Sequence, residues 1–287
     1  MAFHTPLRYP GGKGKLTNFV KVIFEQNDLL DGHYVEPYAG GAGIAMALLL
    51  HEYASCVHLN DLNKSVYAFW YSVLHHTDDL TRRIRNVRVT MAEWHRQKRV
   101  QMNPGEHSLL DLGFSTFFLN RTNRSGIILA GVIGGKNQDG AWKLNARFTK
   151  KDLISRIESI ALFGTRIRLY NQDAADLIRR VLPNLPDKTL VYLDPPYYVK
   201  GQDLYENYYG HEDHKAIAKL VQREIRQPWI VSYDNADEIR SMYTKCLQME
   251  YGINYSAHGR YRGREVMFFG KKVAVPAVDD PVRVRYA

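Results

Sequence analysis

Two cysteines, Cys56 and Cys246, are all that the 287 residues contain, and neither sits in a C-x-x-C pair. Zinc is therefore unsupported, a disulfide is not expected, and a reducing compartment suits the chain. Long hydrophobic runs are missing too. The longest, "GIAMALLL", falls far short of the roughly 20 residues that a membrane-spanning helix needs. The opening "MAFHTPLRYPGGKGK" has no apolar stretch, so no secretory signal is expected. The 11 histidines show no H-x-x-x-H spacing, and His211 and His214 in "GHEDH" read as the start of a helix. No metal site is expected from these patterns.

Negative charge is also in deficit. Lys and Arg number 39 against 30 Asp and Glu, for a net charge of +9. Such a surplus suits a polyanionic partner, nucleic acid being the commonest. The remaining composition, 45% hydrophobic and 24% charged, is that of an ordinary globular protein with a sizeable core.

Along the chain, "HYVEPYAGGAGIAMALLL" reads as a strand, a glycine-rich turn and a buried helix, and "CVHLND" as a second strand ending in Asp61. From about residue 65 to 160 helical patterns and basic stretches dominate. Strand–helix alternation then returns: "RIRLYNQD" ends in Asp173, "TLVYLDPPYY" follows, then "PWIVSYDN", and two last strands close as a hairpin. This alternation predicts a mostly parallel sheet with helices on both faces. The middle third interrupts it as an inserted helical segment.

"EPYAGGAG" at 36–43 would let backbone approach a ligand closely, beside helix N–H groups. It is not the G-x-G-x-x-G dinucleotide turn, because Met46 stands where the third glycine belongs. Asp61 lies about where nucleoside folds place a ribose-binding acid, and a helix cap is its other reading. Asp173 carries the same two readings. "RYPGGKGKL" is no phosphate loop, since a Walker motif needs glycine at Tyr9 and Ser or Thr at Leu16.

"DPPY" at 194–197 is a stiff turn, because proline fixes φ and has no N–H to donate. It sets the Asp194 carboxylate beside a proline carbonyl, two acceptors that suit the NH₂ of a planar base, with the Tyr197 ring offered for stacking.

Taken together, "LRYPGGKGKL", "VEPYAGGAG", "LNDLN", "FFLNRTNRSGI", "NQDAADLI" and "VYLDPPYY" resemble the Dam-like, D12-class DNA adenine-N6 methyltransferases, from about residue 6 to 272. The motif order is that of the alpha arrangement. The resemblance implies an α/β, Rossmann-like S-adenosylmethionine-dependent methyltransferase fold with an inserted, mainly helical target-recognition subdomain. On that reading 1–64 and 161–275 form the catalytic domain, 65–160 the insertion and 276–287 a tail.

It also implies roles. Tyr9 and Lys13 would touch the methionine part of S-adenosylmethionine. Glu36, Pro37, Ala39, Gly40, Gly41 and Gly43 would shape its pocket. Asp61 would bind the ribose hydroxyls, and Asp173 with Ala174 the cofactor adenine. Asp194, Pro195, Pro196 and Tyr197 would hold a flipped-out target adenine, with Asp194 also bordering the cofactor. For double-stranded DNA the candidates are Asn120, Arg121, Asn123, Arg124, Ser125, Arg147, Arg260 and Arg262. After the Asn-Arg pair the chain departs from the Dam pattern, so GATC recognition is not implied.

The implied setting is a cytoplasmic, nucleoid-associated monomer of bacterial or phage origin, solitary or paired with a restriction endonuclease. An rRNA amino-methyltransferase is the main alternative. A glutamine methyltransferase would carry Asn at position 194, and a cytosine-N4 enzyme Ser. A binding module that had lost catalysis would not need both the glycine turn and the Asp194–Tyr197 set.

Overall fold

The computed structural model describes residues 4–8, 12–199, 209–255 and 261–285. The chain divides into two compact units, Lys13–Leu62 with Arg166–Ala287, and Met1–Gly12 with Asn63–Thr165. The expected insertion, 65–160, falls within the second unit, which also takes in the N-terminal residues up to Gly12.

The first unit is built on a seven-stranded sheet of order β3-β2-β1-β4-β5-β7-β6. Its strands are β1 (Gly32–Glu36), β2 (Ala54–Asn60), β3 (Ile167–Tyr170), β4 (Thr189–Leu193), β5 (Trp229–Asp234), β6 (Leu247–Tyr255) and β7 (Tyr261–Phe269). The first five run parallel, and β7 enters antiparallel between β5 and β6. "TLVYL" of β4 is buried at every position, as a central parallel strand covered on both faces must be. One face packs Val35, Val191, Leu193, Val231 and Phe268 against Leu177, Ile217, Val221 and Ile239 of the following helices. On the other, Phe19 and Phe24 of α1 (Thr17–Gln26) meet Phe269 and Tyr34 edge-on or tilted. Strand order reverses between β1 and β4, and in open α/β sheets the crevice at such a reversal, beyond the carboxyl ends of the strands, takes the ligand.

The second unit is helical: α3 (Lys64–His75), α4 (Thr77–Asn86), α5 (Met91–Met102), α6 (Leu109–Thr122) and α7 (Lys150–Ala161). Helices α3 and α6 cross closely at Gly113, where a Cβ would lie 2.4 Å from the Ala68 carbonyl oxygen. Caps fall where the sequence supplies them. Asn63 accepts from the Ser65 and Val66 amides at 2.8 and 3.4 Å, and the Ser108 hydroxyl from Asp111 N–H at 3.1 Å. No described helix is long and apolar enough to cross a membrane.

Candidate active site

Every parallel strand of the sheet delivers an acid at or just beyond its carboxyl end: Glu36, Asp61, Asp173, Asp194 and Asp234. Between β1 and α2 (Gly43–Leu50) the chain turns through Gly40 at φ +46° and Ala42, also left-handed at φ +46°. Gly40 suits that conformation, whereas Ala42 holds it at a cost in backbone strain. Asp61 explains the turn's shape, because its Oδ2 accepts the Gly40 N–H at 2.9 Å. Capping of α3 belongs to Asn63, so the cap reading of Asp61 gives way to a bond that ties β2 to the glycine turn.

Asn60 fastens the neighbouring turns. Its Nδ2 donates to the Pro37 and Gln172 carbonyls at 2.9 and 3.0 Å, and its Oδ1 accepts from Gln172 N–H at 3.1 Å. Asp173 does cap its helix, α8 (Ala174–Arg180), taking the Ala175 N–H at 2.7 Å. Ala174, expected beside the cofactor, has its side chain in the hydrophobic core. Next to Asp173, the buried Nε2 of Gln172 has no hydrogen-bond partner.

Glu36 is buried at the head of α2. Its Oε1 accepts from Tyr34 Oη at 3.1 Å and from Ala45 N–H at 3.3 Å. Burial outweighs both bonds and pushes its pKa up to about 8.

Asp194 does not stand with its acceptors empty, as the sequence suggests. Lys13 Nζ donates to Oδ1 at 2.7 Å and to Oδ2 at 2.8 Å, and Ser232 Oγ donates to Oδ1 at 2.8 Å. A carboxylate offers about four lone-pair sites, so one remains, on Oδ2. The side chain is 21% exposed, enough for a ligand to reach it. Among the described residues nothing donates to the Pro195 carbonyl. Pro195 and Pro196 are themselves buried. Burial, seconded by Glu265, raises the Asp194 pKa, while Lys13 pulls against it.

Lys13 is enclosed. Burial lowers its pKa, but the charges of Asp194 and Glu265 prevail and hold it above the ordinary lysine value. Glu265, on β7 opposite Asp234, is fully buried and lies 3.6 Å from Lys13 Nζ. It accepts Tyr197 Oη at 2.6 Å and the Tyr251 hydroxyl on its other oxygen. Tyr197 Oη also accepts from Lys13 at 3.2 Å. The expected stacking face of Tyr197 is thus corrected. The ring is 1% exposed and its hydroxyl is tied into this ionic cluster. Asp234 clamps the outgoing turn by accepting the Tyr198 and Val199 N–H groups at 2.8 and 2.9 Å.

Besides Asn60, Gln172 and Tyr251, three participants escaped sequence reading. Asp234 obeys the same strand-end pattern as the others and was within reach. Glu265 and Ser232 carry no local motif, and only strand pairing brings them to Lys13 and Asp194.

The candidate nucleic-acid turn in the helical unit is rearranged relative to expectation. Asn120 is buried, with Nδ2 donating to the Arg8 and Gly126 carbonyls at 2.6 and 2.8 Å and Oδ1 accepting Arg8 N–H at 2.8 Å. Arg121 is buried with its guanidinium on the Pro6 carbonyl, and burial, then Arg156 and Arg8, lower its pKa to about 9. Asn123 accepts Trp94 Nε1–H at 2.7 Å and donates to the Ile127 and Ile128 carbonyls at 3.0 and 2.7 Å. These two amides and one guanidinium hold the loop together and cannot reach a base while they do so. Arg124 remains exposed and Ser125 half-buried, at φ +57°. Arg147 is exposed, 5.8 Å over the ring of Trp142, itself 68% exposed. Tyr9 and Arg260 lie outside the described residues, and of Arg262 only the backbone is described.

With the geometry in place, comparison with known proteins decides the family. The family model of the D12 class N6 adenine-specific DNA methyltransferases matches residues 9–257. The chain belongs to this family. It is an S-adenosylmethionine-dependent methyltransferase that acts on adenine N6. No curated protein matches the sequence significantly. Among solved structures, an RNA methyltransferase candidate from Pyrococcus horikoshii is 10% identical, with 92% of this chain and 84% of that one covered, at a TM-score of 0.44. The rRNA methyltransferase AviRa from Streptomyces viridochromogenes is 11% identical, with 88% and 84% covered, at 0.36. These scores add nothing to what the strand order shows.

Proposed function

We infer that this enzyme methylates N6 of adenine in double-stranded DNA, with the target base turned out of the helix. The observation that carries the reading is the Asp194–Pro195 pair of acceptors at the end of β4, one carboxylate site and one carbonyl still open beside a buried cation. Those two acceptors match the two hydrogens of an exocyclic amine. Drawing both hydrogens toward them localises a nitrogen lone pair that would otherwise be delocalised into the ring. A base inside a duplex cannot present its amine this way, so flipping follows.

The cofactor fits the rim. Asp61 holds a carboxylate for ribose hydroxyls, Asp173 and the unpartnered Gln172 Nε2 offer an acceptor and a donor for an adenine edge, and the Gly40–Gly43 turn lets backbone come close. S-adenosylmethionine supplies, when bound, a methyl group activated by its sulfonium charge. The chain's own work is positional and electrostatic. Lys13 and Ser232 fix the Asp194 rotamer. Glu265 and Tyr197 fix Lys13, and Tyr251 in turn holds Glu265. Asp194, its basicity raised by burial, takes the proton that N6 sheds after transfer.

Duplex DNA as the substrate is supported by the family and by the excess of positive charge. In the helical unit burial, joined by the charge of Arg147, lowers the pKa of Arg8, and burial, joined by Arg156, Arg8 and Arg147, lowers that of Arg121, while Arg124 and Arg147 face solvent. The test is labelled methyl transfer to mixed-sequence duplex DNA and, in parallel, to structured RNA, with nucleoside analysis. N6-methyladenine in DNA is the expected product. Transfer to RNA alone would replace this reading with an rRNA enzyme. Whether the enzyme works alone or beside an endonuclease, and as a monomer, follows from sizing and genomic context.

A further inference from the structure

Away from the acid rim, three side chains on one face of the sheet point at a common centre. His33 on β1 and Cys56 and His58 on β2 each offer a ligand atom, and these atoms lie within 4.8 Å of one another. His58 Nε2 is 3.1 Å from His33 Nδ1 and 3.7 Å from Cys56 Sγ. In a tetrahedral zinc site, bond lengths of about 2.0–2.1 Å to nitrogen and 2.3 Å to sulfur put two nitrogens roughly 3.3 Å apart and nitrogen and sulfur roughly 3.6 Å apart. Two edges of that tetrahedron are already present.

The backbone is shaped for this juxtaposition. Gly32 pairs with Ala54, yet His33 pairs with Cys56, so Ser55 is one residue too many on β2. Bulges are rare in parallel pairs, and they re-aim side chains. Without this one, His33 would stand beside Ser55 and Cys56 would face the opposite side of the sheet. Ser55 Oγ secures the irregularity by donating to the Gly32 carbonyl at 3.1 Å.

An outer partner is in place as well. His58 Nδ1 lies 3.0 Å from Tyr170 Oη, leaving Nε2 to face the other two groups. A hydrogen-bonded second nitrogen is how protein sites fix the tautomer and aim of a ligating imidazole. His58 is buried, whereas His33 and Cys56 are half-buried and give access from solvent.

We propose that His33, Cys56 and His58 form a three-ligand site for a borderline-soft d¹⁰ cation, zinc in the first instance, with an open fourth position. On binding, the Cys56 thiol gives its proton to solvent. The hydrogen shared between the two imidazoles moves to an outer nitrogen, for His58 the one facing Tyr170. Arg168, which pairs with His58 on β3, opposes a dication, so the Cys56 thiolate is indispensable to the charge balance.

The experiment uses the untagged full chain, stripped with a chelator. Zinc is titrated against a chromophoric competitor, and cobalt is added separately as a spectroscopic probe. The expected result is one zinc per chain, with cobalt showing intense tetrahedral ligand-field bands and thiolate-to-metal charge transfer. Cys56→Ser and His33→Asn should each weaken zinc by more than the roughly 10–100-fold that losing an outer partner costs. Arg168→Gln should strengthen it. Methyl transfer should persist in Cys56→Ser, and its circular dichroism should match the parent. A weak octahedral cobalt spectrum in the parent protein would overturn the proposal whether or not the variants fold. So would zinc binding that survives Cys56→Ser.

Discussion

Lys13 Nζ sits 2.7 and 2.8 Å from the two carboxylate oxygens of Asp194, a contact that spans 181 positions of chain. It joins the short helical turn Lys13–Leu16 to the turn after β4, two segments that the sequence shows only as separate motifs. The same ammonium meets Tyr197 Oη and lies near Glu265. Removing it leaves the enclosed Glu265 and the partly exposed Asp194 without their cation, and breaking a buried pair from one side costs about 3–5 kcal/mol. Lys13→Met should therefore lower the melting temperature and abolish methyl transfer. Lys13→Arg should not restore either property, because a planar fork cannot occupy a slot shaped around one compact ammonium. Differential scanning calorimetry and a transfer assay check both, and wild-type melting in Lys13→Met would refute the structural role.

Glu265 acts at one remove, through Lys13 and Tyr197. Its two oxygens accept different tyrosine hydroxyls, Tyr197 on Oε1 and Tyr251 on Oε2. In Glu265→Gln one of those oxygens becomes a donor that faces a donor. The unmet buried group should cost about 1–3 kcal/mol, and kcat should fall more than KM rises. Pairing the change with Tyr251→Phe or Tyr197→Phe removes the conflicting hydroxyl. One of these doubles should recover stability relative to the single variant. A double-mutant cycle with no coupling in either pair would show that the bonds contribute nothing.

Glu36 gives a pH dependence with a definite sign. Its pKa in the folded enzyme, about 8, lies above the ordinary glutamate value. Between those two values the folded state holds a proton that the unfolded state has released. Glu36 therefore favours the folded state fully at acid pH, and that contribution is lost as pH rises toward about 8. Urea midpoints should fall over this window in the parent and fall less in Glu36→Gln. A bound cation near Glu36 would favour its ionised form, so S-adenosylmethionine should release a proton on binding at pH 7. Calorimetry in buffers of different ionisation enthalpy reads that proton directly. Equal midpoint slopes in the two proteins would remove Glu36 from the account.

Much of the sheet could be read in advance because its cues are local. "TLVYL" is apolar at nearly every position, "GIAMALLL" follows a glycine turn, and the acids at 61, 173 and 194 mark strand ends that do lie on one rim. Roles that depend on pairing could not be read. Nothing near Glu265 says that β7 will lie beside β5, and His33 and Cys56 become neighbours only through a bulge. The polar turn at 120–125 misled for a different reason. Asn and Arg serve DNA edges and backbone carbonyls equally well, and composition does not say which they face. Burial decides, and it assigns Asn120, Arg121 and Asn123 to backbone carbonyls of the helical unit.

That division yields a separable pair of outcomes in the helical unit. Asn120→Ala and Asn123→Ala leave buried carbonyls and N–H groups unmet, among them Trp94 Nε1–H, and should lower the melting temperature. Arg124→Ala and Arg147→Ala touch exposed side chains and should leave melting unchanged. Their effect should appear in DNA affinity. An arginine that pairs with a phosphate adds about 1 to the salt slope of binding, so its removal lowers that slope and weakens all sequences alike. An arginine that reads a base edge instead costs about 1–3 kcal/mol on removal, at one position of the site. Fluorescence anisotropy on duplexes across a salt series separates these cases. Arg147 also rests on the exposed Trp142 ring, so Trp142→Ala should free its guanidinium and weaken binding without altering the salt slope. If affinity, salt slope and specificity all stayed at parental values in Arg124→Ala and Arg147→Ala, these two arginines would not be where DNA binds.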